Sequence, residues 1–204
     1  AADSSHPIIR HLPSTGSIRL IYAIVGLFVV AVAVIGIHNG IKSRKNAVRR
    51  SWSDVLAYER QKNQILPGLE TMLQSYKDYE SGLLTQITRL RTALSQLRAE
   101  PDTAALAAAE QQSAAFLAKL RVTVEAYPNL ESGPALRDVM SQLASLQREV
   151  TAALSIFNRN VELFNTGLDV FPSSLVNALV TKEVRLAPFT DSAAAAGFDY
   201  RPAL

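Results

Sequence analysis

The chain has 204 residues, 48% of them apolar, and no cysteine, which excludes disulfides, thiolate metal sites and cysteine nucleophiles and fits a reducing compartment. Its pI of 9.3 looks like a nucleic-acid signal only until the charge is divided along the chain. Residues 1–50 hold seven Lys/Arg and one acid, whereas residues 51–204 hold fourteen Lys/Arg and seventeen acids. The basic excess therefore belongs to one junction, and nucleic-acid binding is excluded as the main role.

Residues 1–17 carry two prolines and no period, and are expected to form a short irregular tail. The anchor segment, 18–41, contains Leu20 to Ile37, eighteen residues without a charge. As a helix they measure about 27 Å, close to the ~30 Å hydrocarbon layer of a bilayer. A cleaved signal peptide fits poorly, because the run is long, its basic flank lies on the wrong side, and His38-Asn39-Gly40 is not a small-x-small cleavage site. A retained transmembrane helix is expected, and a chain opening on Ala1 is the form left by removal of an initiator Met. Within the helix Gly26, Ala33 and Gly40 recur every seven residues, and Gly36 with Gly40 makes a GxxxG pair. Small residues let a neighbouring membrane helix approach closely, so these four are the candidate docking face.

The juxtamembrane segment 42–50 contributes Lys42, Arg44, Lys45, Arg49 and Arg50 and no acid. These five are the candidate contacts to anionic lipid, at roughly 1 kcal/mol each, and they place the C-terminal side in the cytoplasm with the N-terminal tail outside.

From Val48 to Leu97 apolar residues recur in steps of three and four, with polar beats at Glu59, Lys62 and Glu80. One heptad register predicts a single rod kinked at Pro67 between Ile65 and Gly68. Unbroken from the anchor, it would be on the order of 115 Å long. The polar beats either line an internal site or face water and pair with each other, as Glu59 and Lys62 can at i, i+3. The stretch Ala99-Glu100-Pro101-Asp102 ends the rod, and Asp102 is placed to cap a helix over 103–126 whose alanines predict close packing. A turn over 127–133 leads to Pro134 at a helix start and an amphipathic helix from Leu136 to Phe171. Phe157, Phe164 and Phe171 form a seven-residue aromatic stripe, read as core rather than as a partner groove. Pro172 stops that helix, Ser173 or Ser174 is placed to cap a short one over Leu175–Val180, and residues 182–204 are expected to be an extended tail.

The fold class is thus all-α, a single N-terminal transmembrane helix followed by a long antiparallel bundle of three long helices and a short C-terminal one. Its domain is set at 51–181.

Particular residues in that domain resemble the LemA family. Ser51-Trp52-Ser53-Asp54 and Leu66-Pro67-Gly68-Leu69 are similar to its AWSD and IPNL motifs. Glu125-Ala126-Tyr127-Pro128-Asn129-Leu130 and the series Asn158, Val161, Phe164-Asn165, Leu168, Phe171-Pro172-Ser173 follow in the family's order and spacing. The resemblance covers about residues 45–178. It implies an N-terminal anchor in a bacterial inner membrane, a cytoplasmic helical bundle and no established enzymatic activity. It singles out Trp52, Asp54, Pro67, Leu69, Tyr127, Pro128, Asn165, Phe171 and Pro172 as structural positions. The chain departs from the pattern at Gln61 and Lys62, where the family has paired basic residues, at Gly68 in place of Asn, and at Tyr79 in place of His.

All three histidines, His6, His11 and His38, precede the bundle, so its sequence offers neither His nor Cys for zinc, di-iron or triad chemistry. His38 at the membrane edge is read as hydrated rather than as a pigment or haem ligand. No glycine loop for nucleotides is present. No enzyme, no cofactor and no metal are expected. The first functional expectation is a structural or accessory subunit of a larger membrane complex, by analogy an energy-converting one, respiratory or photosynthetic. The second is a binding or signalling module for a peptide, lipid or regulatory protein, with the face around Glu59 to Ile65 as its groove. The third is a self-assembling membrane scaffold. Expected partners are membrane lipids, other subunits and a second copy of the chain.

Overall fold

The apolar run and the first amphipathic stretch belong to one helix. The computed structural model describes residues 15–74, 81–126 and 134–190, and all regular structure among them is helical. Helix α1 is Thr15–Gln74, α2 is Ser81–Ser95, α3 is Thr103–Ala126 and α4 is Pro134–Asp169. A single turn, α5 (Ser173–Val176), runs on into a π-helical turn at Asn177–Thr181. The expected tail over 1–14, the turn over 127–133 with Tyr127 and Pro128, the positions Tyr76, Tyr79 and Glu80, and the tail over 191–204 lie outside the described residues.

The single rod from Val48 to Leu97 is not what forms. Glu70 pairs with Arg91 at 3.2 Å, the Trp52 indole N–H donates to the Arg98 carbonyl at 2.9 Å, and Arg49 pairs with Glu100 at 2.9 Å. Residue numbers rise along α2 as they fall along α1, so the two are antiparallel arms of a hairpin. The heptad register carries across because both arms turn their apolar faces to the same core: Leu66, Leu69 and Leu73 meet Leu83, Ile87 and Leu90 in one cluster. Pro67 lies inside α1, its ring exposed, where the missing N–H disturbs no packed face.

Helix α3 starts where it was expected, with the Asp102 carboxylate accepting the Ala105 N–H at 2.9 Å. It runs parallel to α1, and α4 returns antiparallel, giving an up-down-up-down four-helix bundle with one helix more than predicted. The core has two apolar parts. Away from the apolar run, α1 and α2 meet Phe116 and Leu120 of α3 and Leu136, Val139 and Leu143 of α4. Nearer to it, Val48, Trp52 and Val55 meet Leu106 and the Val150–Leu168 face of α4, where the Trp52 and Phe157 rings lie 5.3 Å apart, tilted by 51°. The closest helix pair is α1 with α4, and α3 packs chiefly on α2.

The aromatic stripe is core for two of its three members. Phe157 and Phe164 are buried, but Phe171 is 82% exposed, because α4 has already ended at Asp169. The serines do not cap the next turn, since both lie inside α5 and Pro172 holds the cap position without a side-chain hydrogen bond. Lys182 closes the π turn in the left-handed region (φ 53°), donating its N–H to Asn177 at 2.7 Å. A side chain at this φ costs energy, and Asn177 offsets it by accepting the Glu183 N–H at 2.9 Å and donating to its carbonyl at 3.0 Å.

Candidate functional site

Between the two apolar parts lies one polar layer, built from residues whose helical positions the sequence marks as interior. Lys62 on α1 is 3% exposed and directs its ammonium to Glu110 at 2.9 Å, Gln147 at 3.0 Å and Ser113 at 3.4 Å. Those acceptors sit on α3 and α4, so one side chain joins three helices. Gln147 in turn donates to the other oxygen of Glu110. An ammonium has three N–H groups, and all three are taken. Glu59, 1% exposed and 3.0 Å from Lys62, therefore has a nearby charge but no aligned hydrogen bond on either oxygen.

Burial pushes the Glu59 carboxyl up from 4.5 to about 8, against the pull of Lys62 and with the help of neighbouring Glu110. Burial also acts upward on Glu110, but the neighbouring Glu59, the Lys62 charge and the hydrogen bonds from Lys62 and Gln147 together hold it below its ordinary value. The two carboxyls of the layer are thus pushed apart, with Glu59 holding its proton more firmly than Glu110. Glu59 and Lys62 do pair at i, i+3, and neither faces water, while Arg60, Gln61 and Gln64 on the same stretch are exposed.

The open space lies elsewhere, as a cleft of about 610 Å³ between α3 and α4. Ala107 and Ala114 leave it on one side, Glu110 and Gln147 line it, and Asn158 and Phe189 bound it toward α5. The alanine-rich helix packs tightly only where Ala109 is buried; at 107 and 114 small side chains make room. Among the described residues no group of His, Cys, Asp or Glu is arranged to hold a metal ion.

A second arrangement fixes residues 182–190. Asn165 accepts the Leu186 N–H at 3.0 Å and donates to its carbonyl at 2.8 Å; Asn158 does the same for Phe189 at 2.8 and 2.9 Å. Two amides one heptad apart on α4 thereby hold an extended strap that runs back along the helix. Leu186 and Phe189 add apolar contact with the core part nearer the apolar run.

At that end of the bundle, Glu183 takes Lys42 at 2.7 Å and Lys45 at 2.6 Å, which keep its carboxyl below the ordinary value. Arg44 passes so close to Gly167 that a Cβ there would collide with its guanidinium. Arg49 pairs with Glu100, and Arg50 is exposed. Three of the five basic residues read as lipid contacts are thus joined to the chain's own acids. His38 is not simply hydrated: its Nδ1 lies 3.0 Å from the Thr181 hydroxyl.

Of the docking residues, Gly26, Gly36 and Gly40 face open space, where an added methyl group would meet nothing within 4 Å, and Ala33 is exposed. Of the motif residues, Trp52 and Leu69 are core, Asp54 is exposed, Asn165 clamps the strap, and Phe171 and Pro172 lie in the turn after α4. The strap clamps and the cleft are what sequence reasoning missed. Asn158 and Asn165 at heptad spacing were the available signal.

The folded state holds the Glu59 proton that the unfolded chain releases, so stability falls as pH rises from 4.5 through about 8. Glu59→Gln removes this loss: its melting temperature, followed by circular dichroism, exceeds wild type by roughly 10 °C near pH 9 and nearly matches it near pH 5. Parallel melting curves would exclude a neutral Glu59. Asn165→Ala removes two hydrogen bonds from the strap, so trypsin cuts after Arg185 about tenfold faster while the melting temperature barely moves. Unchanged digestion would show that the clamp does not hold the strap.

Comparison with known proteins agrees with the motifs. The LemA family profile matches residues 51–195. Protein LemA of Metamycoplasma hominis is 20% identical over 157 residues, which cover 77% of this chain and 71% of that protein. The match spans Trp52, the Lys62–Glu110–Gln147 layer and both strap clamps, and the chain belongs to the LemA family.

Proposed function

We propose that this chain is a non-enzymatic, membrane-anchored helical bundle that acts as a structural or accessory subunit of a larger membrane assembly. The observation that carries this reading is the continuity of α1. Its apolar part is long and apolar enough to cross a membrane and none of it is buried, and the same helix goes on to supply Trp52, Leu66 and Leu69 to the bundle core. No flexible joint separates the two, so whatever holds the apolar segment fixes the bundle's orientation. The small-residue face at Gly26, Ala33, Gly36 and Gly40 is where another membrane helix would pack, either from a different subunit or from a second copy. The polar layer fits a structural role, because the buried Lys62 ammonium ties α1 to α3 and α4.

A test is extraction from native membranes in mild detergent, followed by size separation and mass spectrometry. Stoichiometric migration with a larger complex is expected, and replacing Gly36 and Gly40 by Leu reduces that co-migration about tenfold or more. Migration alone would overturn the accessory reading. The basic junction supports a bundle on the cytoplasmic side of a bacterial inner membrane. In this cysteine-free chain, a Ser95→Cys variant is then labelled by an impermeant maleimide only after the inner membrane is opened. Labelling of intact spheroplasts would reverse the topology.

A second reading, a binding module, is favoured by one observation. The cleft between α3 and α4 already receives an extended segment at its edge, at Phe189.

A further inference from the structure

Outside the anchor segment 18–41, nine large apolar side chains are exposed among the described residues, and six of them fall between Val170 and Val184. Phe171 is 82% exposed, Val184 78% and Leu179 70%, with Val170, Leu175 and Val180 about half exposed. Such a concentration is not the scatter of single apolar residues found on ordinary surfaces. It also occupies one place. The α5 and π turns pack against α1, and Thr181 touches His38, the residue that follows the apolar run. On α1 the residues that lose exposure here are Val34, Ile37, His38 and Ile41, one helical face that begins inside the apolar run. Thr181 therefore lies at the level where Leu20–Ile37 ends, and Glu183, held by Lys42 and Lys45, lies about one to two helical turns beyond it.

Charge around the patch fits an anionic surface. Its one acid, Glu183, is covered by Lys42 and Lys45, while Lys182 and Arg185 are exposed beside it. Of the two, Arg185 reaches back to Asp169 at 2.8 Å and Lys182 carries its charge outward at the end of the π turn.

We propose that Val170 to Val184 form a membrane-embedded foot, in which Phe171, Leu175, Leu179, Val180 and Val184 enter the headgroup layer of the leaflet next to the bundle. The proposal rests on the reading of α1 as a membrane anchor. The occupant is the lipid interface, because the patch adjoins the end of the apolar segment, where Thr181 meets His38, and basic side chains edge it. Apolar side chains on a short turn, edged by lysine and arginine, are the composition of interfacial segments that sink roughly 5–10 Å below the headgroups. The foot gives the bundle a second membrane contact beside α1.

The experiment uses the full chain, which has no cysteine of its own. Single variants Leu179→Cys and Leu175→Cys, with Val29→Cys in the apolar run and Val122→Cys on α3 as references, are labelled with an environment-sensitive dye. Each is reconstituted into vesicles of equal phosphatidylcholine and phosphatidylglycerol carrying a nitroxide high or low on the acyl chain. The expected result is about twofold quenching at 179 and 175 by the shallow nitroxide and less by the deep one, quenching at 29 mainly by the deep one, and none at 122. If 179 and 175 behave like 122 while 29 is quenched, the foot is wrong and the anchor stands. If 29 is also unquenched, the anchor reading fails and the foot fails with it.

Discussion

Lys62 is the constraint on which the bundle's arrangement turns. An ammonium buried to 3% exposure is tolerated only if its donors are used, and here they are used across α1, α3 and α4. Sliding any of these helices by one turn, about 5.4 Å, would leave an uncompensated charge in the interior. Leucine contacts alone do not forbid such a slip, because Leu66, Leu69 and Leu73 could each meet another apolar neighbour. A polar layer between two apolar parts therefore supplies register, while the apolar parts supply most of the stability.

The same layer explains where open space remains. Glu110 and Gln147 are needed at the bundle's centre to receive Lys62, and they bond to each other across α3 and α4 beside the cleft. Ala107 and Ala114 then leave room rather than filling it. The cleft is the geometric remainder of a register device, with the strap residue Phe189 seated at its margin.

Much of this was legible in the sequence, and what was not has identifiable causes. The apolar run, the α3 start at Asp102 and the buried face of α4 were readable because each rests on local periodicity or a local cap. The reversal between α1 and α2 was not, since residues 75–80 contain neither glycine nor proline and the heptads on either side stay in phase. Periodicity records which face is apolar and not which way the chain runs. The polar beats at Glu59 and Lys62 were visible, but their partners stand 48 and 85 residues beyond Lys62, out of reach of any local argument. Asn158 and Asn165 stood in the LemA-like series, yet their function depends on backbone 31 and 21 residues away in a segment without a period.

The close pairing of α1 with α4 has a consequence for how the chain matures. Farther from the apolar run, the core draws heavily on α1, α2 and α3, which emerge consecutively from the ribosome and can associate through short loops. Nearer to it, the core consists of α1 residues, Leu106 and the second half of α4. Leu106 and Arg98 reach this part about fifty residues later, but Trp52 meets Phe157 only about a hundred residues on, so until then Val48, Trp52 and Val55 are covered in part. That interval is when the nascent chain is most exposed to wrong association, and it falls on the part of the bundle that adjoins the apolar run.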